Sequence, residues 1–516
     1  MEPKTLKEAL ESDYAEEWKA AADSECKSHI ENQTLDLVEL PNGQKPIGCK
    51  WVFKVKHAND GTVERFKGRL VAKGYAQKYG TDYFETYSPV VRFTSIRTLL
   101  SFAIESDMLI HQMDVETAFL NGELSEVIYM EQPDGYVQSG LEHLVCKLKK
   151  SLYGLKQAPR CWNKSFKEYM LSIDFSQSSA DPCVYIRTGT TVAIVAVYVD
   201  DLILITKTQQ EMDELKSLLA CRFKMKDMGK LHYCLGVSIV HDEDQKCLWL
   251  HQRQYIQCML DKYGLTEAKI VSTPADSNVK LQKNDGISKS VDPVKYQSLV
   301  GSLLYTAIAT RPDISQAVGL VSKFNSNPTE AHLTAAKRIL RYLKGTLNLA
   351  MKYQKSEIGM QMTGYSDADW ASDPDDRHST TGHLFVIAGG TVSWLSKKQA
   401  IVALSTTEAE YVALCSATQE AVWLRRLLNE LETVSDKPTV LMEDNQGAIA
   451  ISQNPVEHAR TKHIDVRYHF VREAVQQGLV ELKYCSSCEM VADLLTKPLP
   501  AGQFQKLRLA MGLDVM

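Results

Sequence analysis

The chain has no long uninterrupted apolar run. Its most hydrophobic stretch, Val192 to Ile205, is split by Asp200 and Asp201 and is too short and too charged to cross a bilayer. The first segment, MEPKTLKEALESDYAEEWKAAADSE, has no apolar core of the signal-peptide kind and reads as an acidic amphipathic helix. Cysteine provides no framework: the 12 residues are scattered and read as reduced thiols of an intracellular protein. Cys485 and Cys488 have metal-like spacing, but with no second CxxC and no CxxH nearby they give no basis for a zinc site. Nor does one charge dominate. The 59 Lys plus Arg against 64 Asp plus Glu leave a net charge of −5, which excludes a histone-like binder and confines nucleic-acid contact to local basic surface. There is no fixed-period repeat and no low-complexity tract. What remains is an ordinary globular composition, 44% hydrophobic and 24% charged over 516 residues. At roughly 150 residues per domain this predicts about three domains.

Along the chain, residues 7–35 read as helical. From Pro46, alternating apolar and polar residues around Asn59-Asp60-Gly61 predict a β-hairpin. A helix is expected near Thr94 to Glu105, then a strand carrying HQMDVETAFL and a basic helix after Leu152. Two apolar strands meet at Asp200-Asp201 and are followed by a helix over 210–223. The polar, turn-rich stretch near Val271 to Asp292 marks the exit from a first unit, and a mostly helical section runs from Tyr296 to Leu349. A third unit opens with strands around Met351 to Asp367 and 384–395, and continues through a helix from Ser405 to Glu432. The class is mixed: α/β and α+β, multidomain.

The stretch VAIVAVYV-DD-LILIT carries the most information. Two runs of strong strand propensity place adjacent carboxylates at the tip of a tight turn, where like charges repel and call for a cation. Mg²⁺ meets that need with one or two carboxylates plus substrate phosphate. A third acid, Asp114, ends an apolar-leaning strand some 85 residues earlier. Between Cys146 and Lys167 there are seven Lys or Arg and no acid, interleaved with Tyr153, Gly154, Pro159 and Trp162, which suits a template and nucleotide surface.

YVDD, MDVETAFLNG and SLYGLKQAPRCW together resemble the reverse transcriptase palm of copia-type LTR retrotransposon polyproteins. IGCKWVFKVK and ERFKGRLVAKGYAQ resemble the fingers, and the likeness covers nearly the whole chain. It implies a right-hand polymerase with fingers, palm and thumb over residues 1–272, a connection region over 273–355, and a ribonuclease H-like mixed-sheet domain over 356–516. Asp114, Asp200 and Asp201 match the polymerase metal ligands, holding two Mg²⁺ or Mn²⁺ ions. Phe119 matches the aromatic position that excludes a 2′-hydroxyl. Tyr153, Gly154 and Pro159 would line the nucleotide pocket, with Lys156 facing phosphate or template. Lys56, Lys67 and Arg69 are candidates for the triphosphate.

Downstream, Asp367 and Asp444 end strands, Glu410 lies in the first turns of a helix begun by Ser405-Thr406-Thr407, and Asp493 lies in the last helix. Four convergent carboxylates without basic partners suit two-metal phosphodiester hydrolysis. YSDADWA, STTEAEYVAL, EDNQGAI and ADLLTKPL resemble the D-E-D-D set of ribonuclease H in its copia-family version. Glu408 rivals Glu410, but the family's Glu is followed by an apolar or aromatic residue and then Ala two places on, as in EYVA. Gln446 matches a position that contacts RNA 2′-hydroxyls. CSSCEM lacks the mobile histidine that many cellular ribonucleases H carry before the last Asp, and His463 stays outside the catalytic set.

The resemblance implies an enzyme that copies RNA into DNA from a DNA or tRNA primer with deoxynucleoside triphosphates, then degrades the RNA of the RNA–DNA hybrid. It implies no membrane role, association with other retroelement proteins, and a cytoplasmic place in a virus-like particle with access to the nucleus. Two rival readings remain: a catalytically idle, domesticated nucleic-acid-binding or scaffold protein, against which all seven acids are present, and a generic two-metal phosphatase, which needs no template groove. No coat-like segment, protease DTG or DSG motif or integrase region is recognisable, so the resemblance implies the C-terminal portion of a polyprotein or a truncated copy.

Overall fold

The structure, a computed structural model, describes residues 2–57, 62–189, 191–283, 288–357, 359–432, 437–453 and 465–516. Helix Ala15–Glu31 lays Trp18 against the hairpin Cys49–His57/Val63–Ala72, where it meets Phe53 and Phe66 edge-on at 5.3 and 4.6 Å. The strands thus pair as expected; their connecting turn at Asn59-Asp60-Gly61 lies outside the described residues, as does His463. The expected single early helix is two, Leu6–Leu10 and Ala15–Glu31, and the chain then enters strand Leu35–Val38.

The first site rests on a six-stranded antiparallel sheet in the order Met225–Lys230, Leu109–Val115, Asp201–Thr206, Ala193–Tyr198, Val184–Arg187, Ser176–Gln177. Its central strands are rich in Ile and Val and buried on both faces. One face packs on helices Ala158–Ser172 and Gln209–Arg222 through Trp162, Phe166, Leu215 and Phe223. The other packs on helix Phe93–Glu105 through Leu99, Phe102 and Ile203.

A second, five-stranded sheet runs Tyr233–Cys234, Val237–Asp242, Cys247–His251, Leu349–Gln354, Leu513–Val515. This corrects the sequence reading at one point. Leu349–Gln354 does not open the third unit beside Asp367 but pairs with the far earlier strand Cys247–His251, in the register Leu250↔Met351 and its neighbours. Both runs are apolar, and local pattern alone does not reveal a distant partner. Helices Arg253–Lys262, Pro293–Ala309, Ser315–Ser322 and Glu330–Gly345 form an adjoining core with Leu299, Leu303, Ile339 and Leu343.

The last sheet is mixed, in the order Gly390–Lys398, Thr380–Ile387, Thr363–Ala368, Thr439–Glu443, Val480–Tyr484. The first three strands pair antiparallel and the last two join in parallel. Helix Thr406–Glu430 covers one face with Tyr411, Leu414, Ala417 and Leu424.

The units are joined by a buried cation. Arg97, in the middle of helix Phe93–Glu105, donates to the carbonyls of Val392 at 2.8 Å, Ile308 at 2.8 Å and Ala309 at 3.0 Å. Its guanidinium lies 3.8 Å from the ring centroid of Trp394. The carbonyls of Ile308 and Ala309 end helix Pro293–Ala309, where the helix dipole favours positive charge. Beside this, Trp423 donates to the Ala180 carbonyl at 2.8 Å, and Glu430 accepts from the Ser179 backbone at 2.9 Å.

Candidate active sites

The hairpin of the first site closes through Val199, whose φ of +59° is uncommon for a β-branched residue. Two bonds hold this turn: Trp162 Nε1 donates to the Val199 carbonyl at 2.6 Å, and the Val115 N–H donates to the Asp200 carbonyl at 2.8 Å. Asp201 stands opposite Asp114 in the antiparallel register, so both side chains leave the sheet on the same face. Gln112, one step along that face, donates to Asp201 Oδ1 at 3.1 Å.

Burial, followed by repulsion from Asp200, raises the pKa of Asp114, while Lys67 and Arg65 oppose that shift. Asp201 is pushed up to about 6, first by burial and then by Asp200. Lys67 is lowered, chiefly by burial and then by Arg69 and Arg65. The cationic hairpin therefore faces Asp114 electrostatically. Lys56 is exposed farther along it, opposite Arg65.

The nucleotide-side residues also gather. Phe119 meets Tyr153 edge-on at 4.9 Å, and the Arg69 guanidinium lies 4.2 Å from the Tyr153 ring centroid. Lys156 donates to Tyr83 Oη at 3.2 Å. Pro159 lies in the first turn of helix Ala158–Ser172 and its carbonyl accepts from Ser88 Oγ at 3.1 Å. Gly154 has φ +92°, and a Cβ there would stand 2.2 Å from the Ala72 carbonyl oxygen, so the SLYG turn needs glycine to touch the hairpin.

In the last sheet, strand Thr363–Ala368 and strand Thr439–Glu443 lie side by side in parallel and bring Asp367 and Asp444 to one edge. Glu410 reaches them from the second turn of helix Thr406–Glu430, its Oε2 accepting from the Ala368 N–H at 2.6 Å. Ligand oxygens of Asp367, Glu410 and Asp444 lie within 4.8 Å of one another, the one such group of three or more His, Cys, Asp or Glu among the described residues. Asp114, Asp200 and Asp201 do not close to that spacing. Glu408 turns away and accepts from the Leu404 N–H at 2.8 Å, while its own N–H is capped by Ser405 at 3.2 Å. Gln446 is exposed at the start of helix Gln446–Gln453.

Burial, then repulsion from Asp367 and Glu443, pushes Glu410 up to about 11. Asp493 is pushed up to about 7 by burial and by Asp367. Carboxylates held this far above their usual range call for a cation, and hard, buried, closely grouped oxygens suit Mg²⁺ or Mn²⁺.

The expectation of acids without basic partners is corrected here. Lys497 lies 2.8 Å from Asp493 and 3.9 Å from Asp367, and the Thr496 hydroxyl donates to Asp367. Burial lowers the Lys497 pKa, but Asp367 and Asp493 outweigh it and the net shift is upward. Sequence reasoning also passed over Glu443, fully buried beside Asp444, together with Gln112 and Arg65. The signals were available: Lys497 follows Asp493 by one helical turn, and Gln112 precedes Asp114 by two positions on one strand face.

Comparison with known proteins points to a family. Residues 32–277 match the reverse transcriptase (RNA-dependent DNA polymerase) family. The chain is 45% identical over 519 residues to the retrovirus-related Pol polyprotein from transposon TNT 1-94 of Nicotiana tabacum, covering 99% of this chain and 39% of that protein. It is 42% identical over 513 residues to the Pol polyprotein from transposon RE1 of Arabidopsis thaliana, covering 99% of this chain and 34% of that one. A transposon Ty5-1 protein of Saccharomyces cerevisiae is 36% identical over 311 residues, 60% of this chain and 100% of its own length. The chain belongs to the copia-type retrovirus-related Pol polyproteins of transposons and contains their reverse transcriptase domain. It spans 39% and 34% of the two Pol polyproteins it matches over nearly its whole length. No helix among the described residues is long and apolar enough to cross a membrane.

Proposed function

We propose that the chain is a bifunctional enzyme, an RNA-directed DNA polymerase at the first acidic cluster and an RNA–DNA hybrid ribonuclease at the second. The observation that carries the reading is the pairing of Asp114 with Asp201 at a basic hairpin, in a chain that also gathers Asp367, Glu410 and Asp444 on a mixed sheet. At the first cluster Asp114, Asp200 and Asp201 would hold two Mg²⁺ or Mn²⁺ ions. Lys67, Arg65 and Arg69 neutralise the triphosphate of an incoming deoxynucleotide, with Lys56 at the rim. Phe119 and Tyr153 wall the sugar, and Gly154, Lys156 and Pro159 shape the pocket edge. When bound, the ions supply Lewis acidity at the attacking and leaving oxygens of an in-line displacement.

At the second cluster Asp367, Glu410, Asp444 and Asp493 would hold the metal, and Gln446 would meet RNA 2′-hydroxyls. The partners are an RNA template, a DNA or tRNA primer and the hybrid they form. Buried carboxylates at both clusters, with Asp201 pushed up to about 6 and Glu410 to about 11, favour this over an idle scaffold, because their charged forms call for a cation beside them.

The test is primer extension on poly(rA)/oligo(dT) with Mg²⁺. Asp200→Asn is expected to lose at least about a hundredfold, several kcal/mol of transition-state stabilisation. Equal extension by both proteins sinks the assignment of the hairpin. Asp444→Asn is expected to abolish cleavage of labelled hybrid RNA while sparing extension, and loss of both activities together contradicts two independent sites.

A further inference from the structure

The four acids of the second cluster are not equivalent. Asp367, Glu410 and Asp444 bring oxygens within 4.8 Å of one another, and Asp493 is not in that group. Asp493 is instead bridged to Asp367 by a lysine: Lys497 Nζ lies 2.8 Å from Asp493 Oδ1 and 3.9 Å from Asp367 Oδ1. The remaining Asp367 oxygen accepts from Thr496, and Asp444 Oδ2 accepts from Ser487 Oγ at 2.8 Å. Both Asp367 and Asp493 are almost fully buried, at 1% and 2% exposure, so ionising both of them calls for a compensating cation beside them.

We propose that the Lys497 ammonium is a built-in cation holding the place between Asp367 and Asp493 that a second divalent ion would take. The cluster then accepts one ion at Asp367, Glu410 and Asp444 outright, and a second only when Lys497 withdraws. This rests on the reading of the cluster as a hydrolytic metal centre. An ammonium and a divalent ion cannot share two carboxylates a few ångströms apart without strong repulsion, so occupancy is exclusive. Withdrawal is sterically open. The Lys497 side chain is 41% exposed and, with Thr496 and Pro498, lines a cleft of about 410 Å³ running past Gln316 and Asp373. In that cleft Asp373 is already paired with Lys323 and Lys398 at 2.8 and 2.7 Å, so the displaced ammonium moves into solvent. The lysine thus makes the second ion's binding depend on divalent concentration while keeping the metal-poor protein folded.

The test uses the full chain carrying Asp114→Asn and Asp200→Asn, so that bound ions report on the second cluster. Mn²⁺ is titrated and the free ion followed by its paramagnetic resonance. With Lys497 present, one ion is expected to bind at least about tenfold more tightly than the next. Lys497→Gln and, as a second variant, Lys497→Met are expected to bind two ions with affinities within about threefold of each other, and Lys497→Arg to restore the one-ion pattern. Unchanged stoichiometry and affinities in both neutral variants overturn the proposal. If hybrid cleavage persists in that case, the hydrolytic reading stands and this inference alone fails. If the parent binds no Mn²⁺ at the cluster and cleaves no hybrid, both fall.

Discussion

Single residues carry the sharpest constraints. Gly154 combines positive φ with a backbone approach that a methyl group would close to 2.2 Å. Gly154→Ala is therefore expected to separate the SLYG turn from the hairpin and lower thermodynamic stability by about 2 kcal/mol or more, measured by denaturant unfolding. The buried acids make the protein sensitive to pH in a definite direction. Asp201 and Asp493 titrate at about 6 and about 7. An unfolded Asp titrates at about 3.9, so between those values the folded chain holds more protons than the unfolded one. Stability without metal consequently falls as pH rises through that window and stays low above it. A divalent ion compensates the charged form, so the gain in Tm on adding Mg²⁺ is expected to be larger near pH ~8 than near pH ~5. A larger gain at the acidic end contradicts a metal role for these carboxylates.

At the scale of elements, the short helix Asp493–Thr496 is held against strand Thr380–Ile387 by a missing side chain. A Cβ on Gly382 would lie 2.6 Å from Thr496 Cγ2 and 2.9 Å from Leu495 Cβ. Gly382→Ala is expected to push that helix, with Asp493 and Lys497, away from Asp367. Hybrid cleavage should drop by about tenfold or more while primer extension is unchanged, a split read by running both assays on one preparation. Elements of this kind show what the sequence could disclose. The hairpin at Asp200 was legible because its strands are β-branched and its turn is doubly charged, and helix Thr406–Glu430 because Ser405 caps it and its apolar residues recur at helical spacing. Of the two rival acids, Glu410 reaches Asp367 and Asp444, while Glu408 accepts from the Leu404 N–H at the helix start. What was not legible was non-local. Strand Leu349–Gln354 gives no local sign that its partners are Cys247–His251 and Leu513–Val515. Asp493 likewise stands not in the last helix, Ala501–Ala510, but in the short helix Asp493–Thr496, and only the folded sheet edge brings Lys497 within reach of Asp367.

At the scale of the whole molecule, the first sheet and the last are parts of one packed body, and Arg97 is the joint between them. Its guanidinium satisfies carbonyls from two other segments and faces no carboxylate within ion-pair distance among the described residues. Burial lowers its pKa to about 10, which still leaves it charged at neutral pH. Arg97→Met keeps the bulk over Trp394 but strands the buried carbonyls of Val392 and Ala309 and the part-buried one of Ile308, a loss of about 3 kcal/mol. Urea unfolding followed by fluorescence and by each activity should then change from one transition to two. Coincident transitions in the variant would place the coupling elsewhere, in the contacts of Trp423 or Glu430.

The strand Leu513–Val515 lies beside Leu349–Gln354, so the chain leaves the middle sheet at one strand and returns to its neighbour. Everything between them, including the whole D-E-D-D cluster, is consequently fastened like a door on two hinges rather than hung from a single tether. The distance from the carboxylates on the first sheet to those on the last is set by that mounting, and so becomes a property of the scaffold.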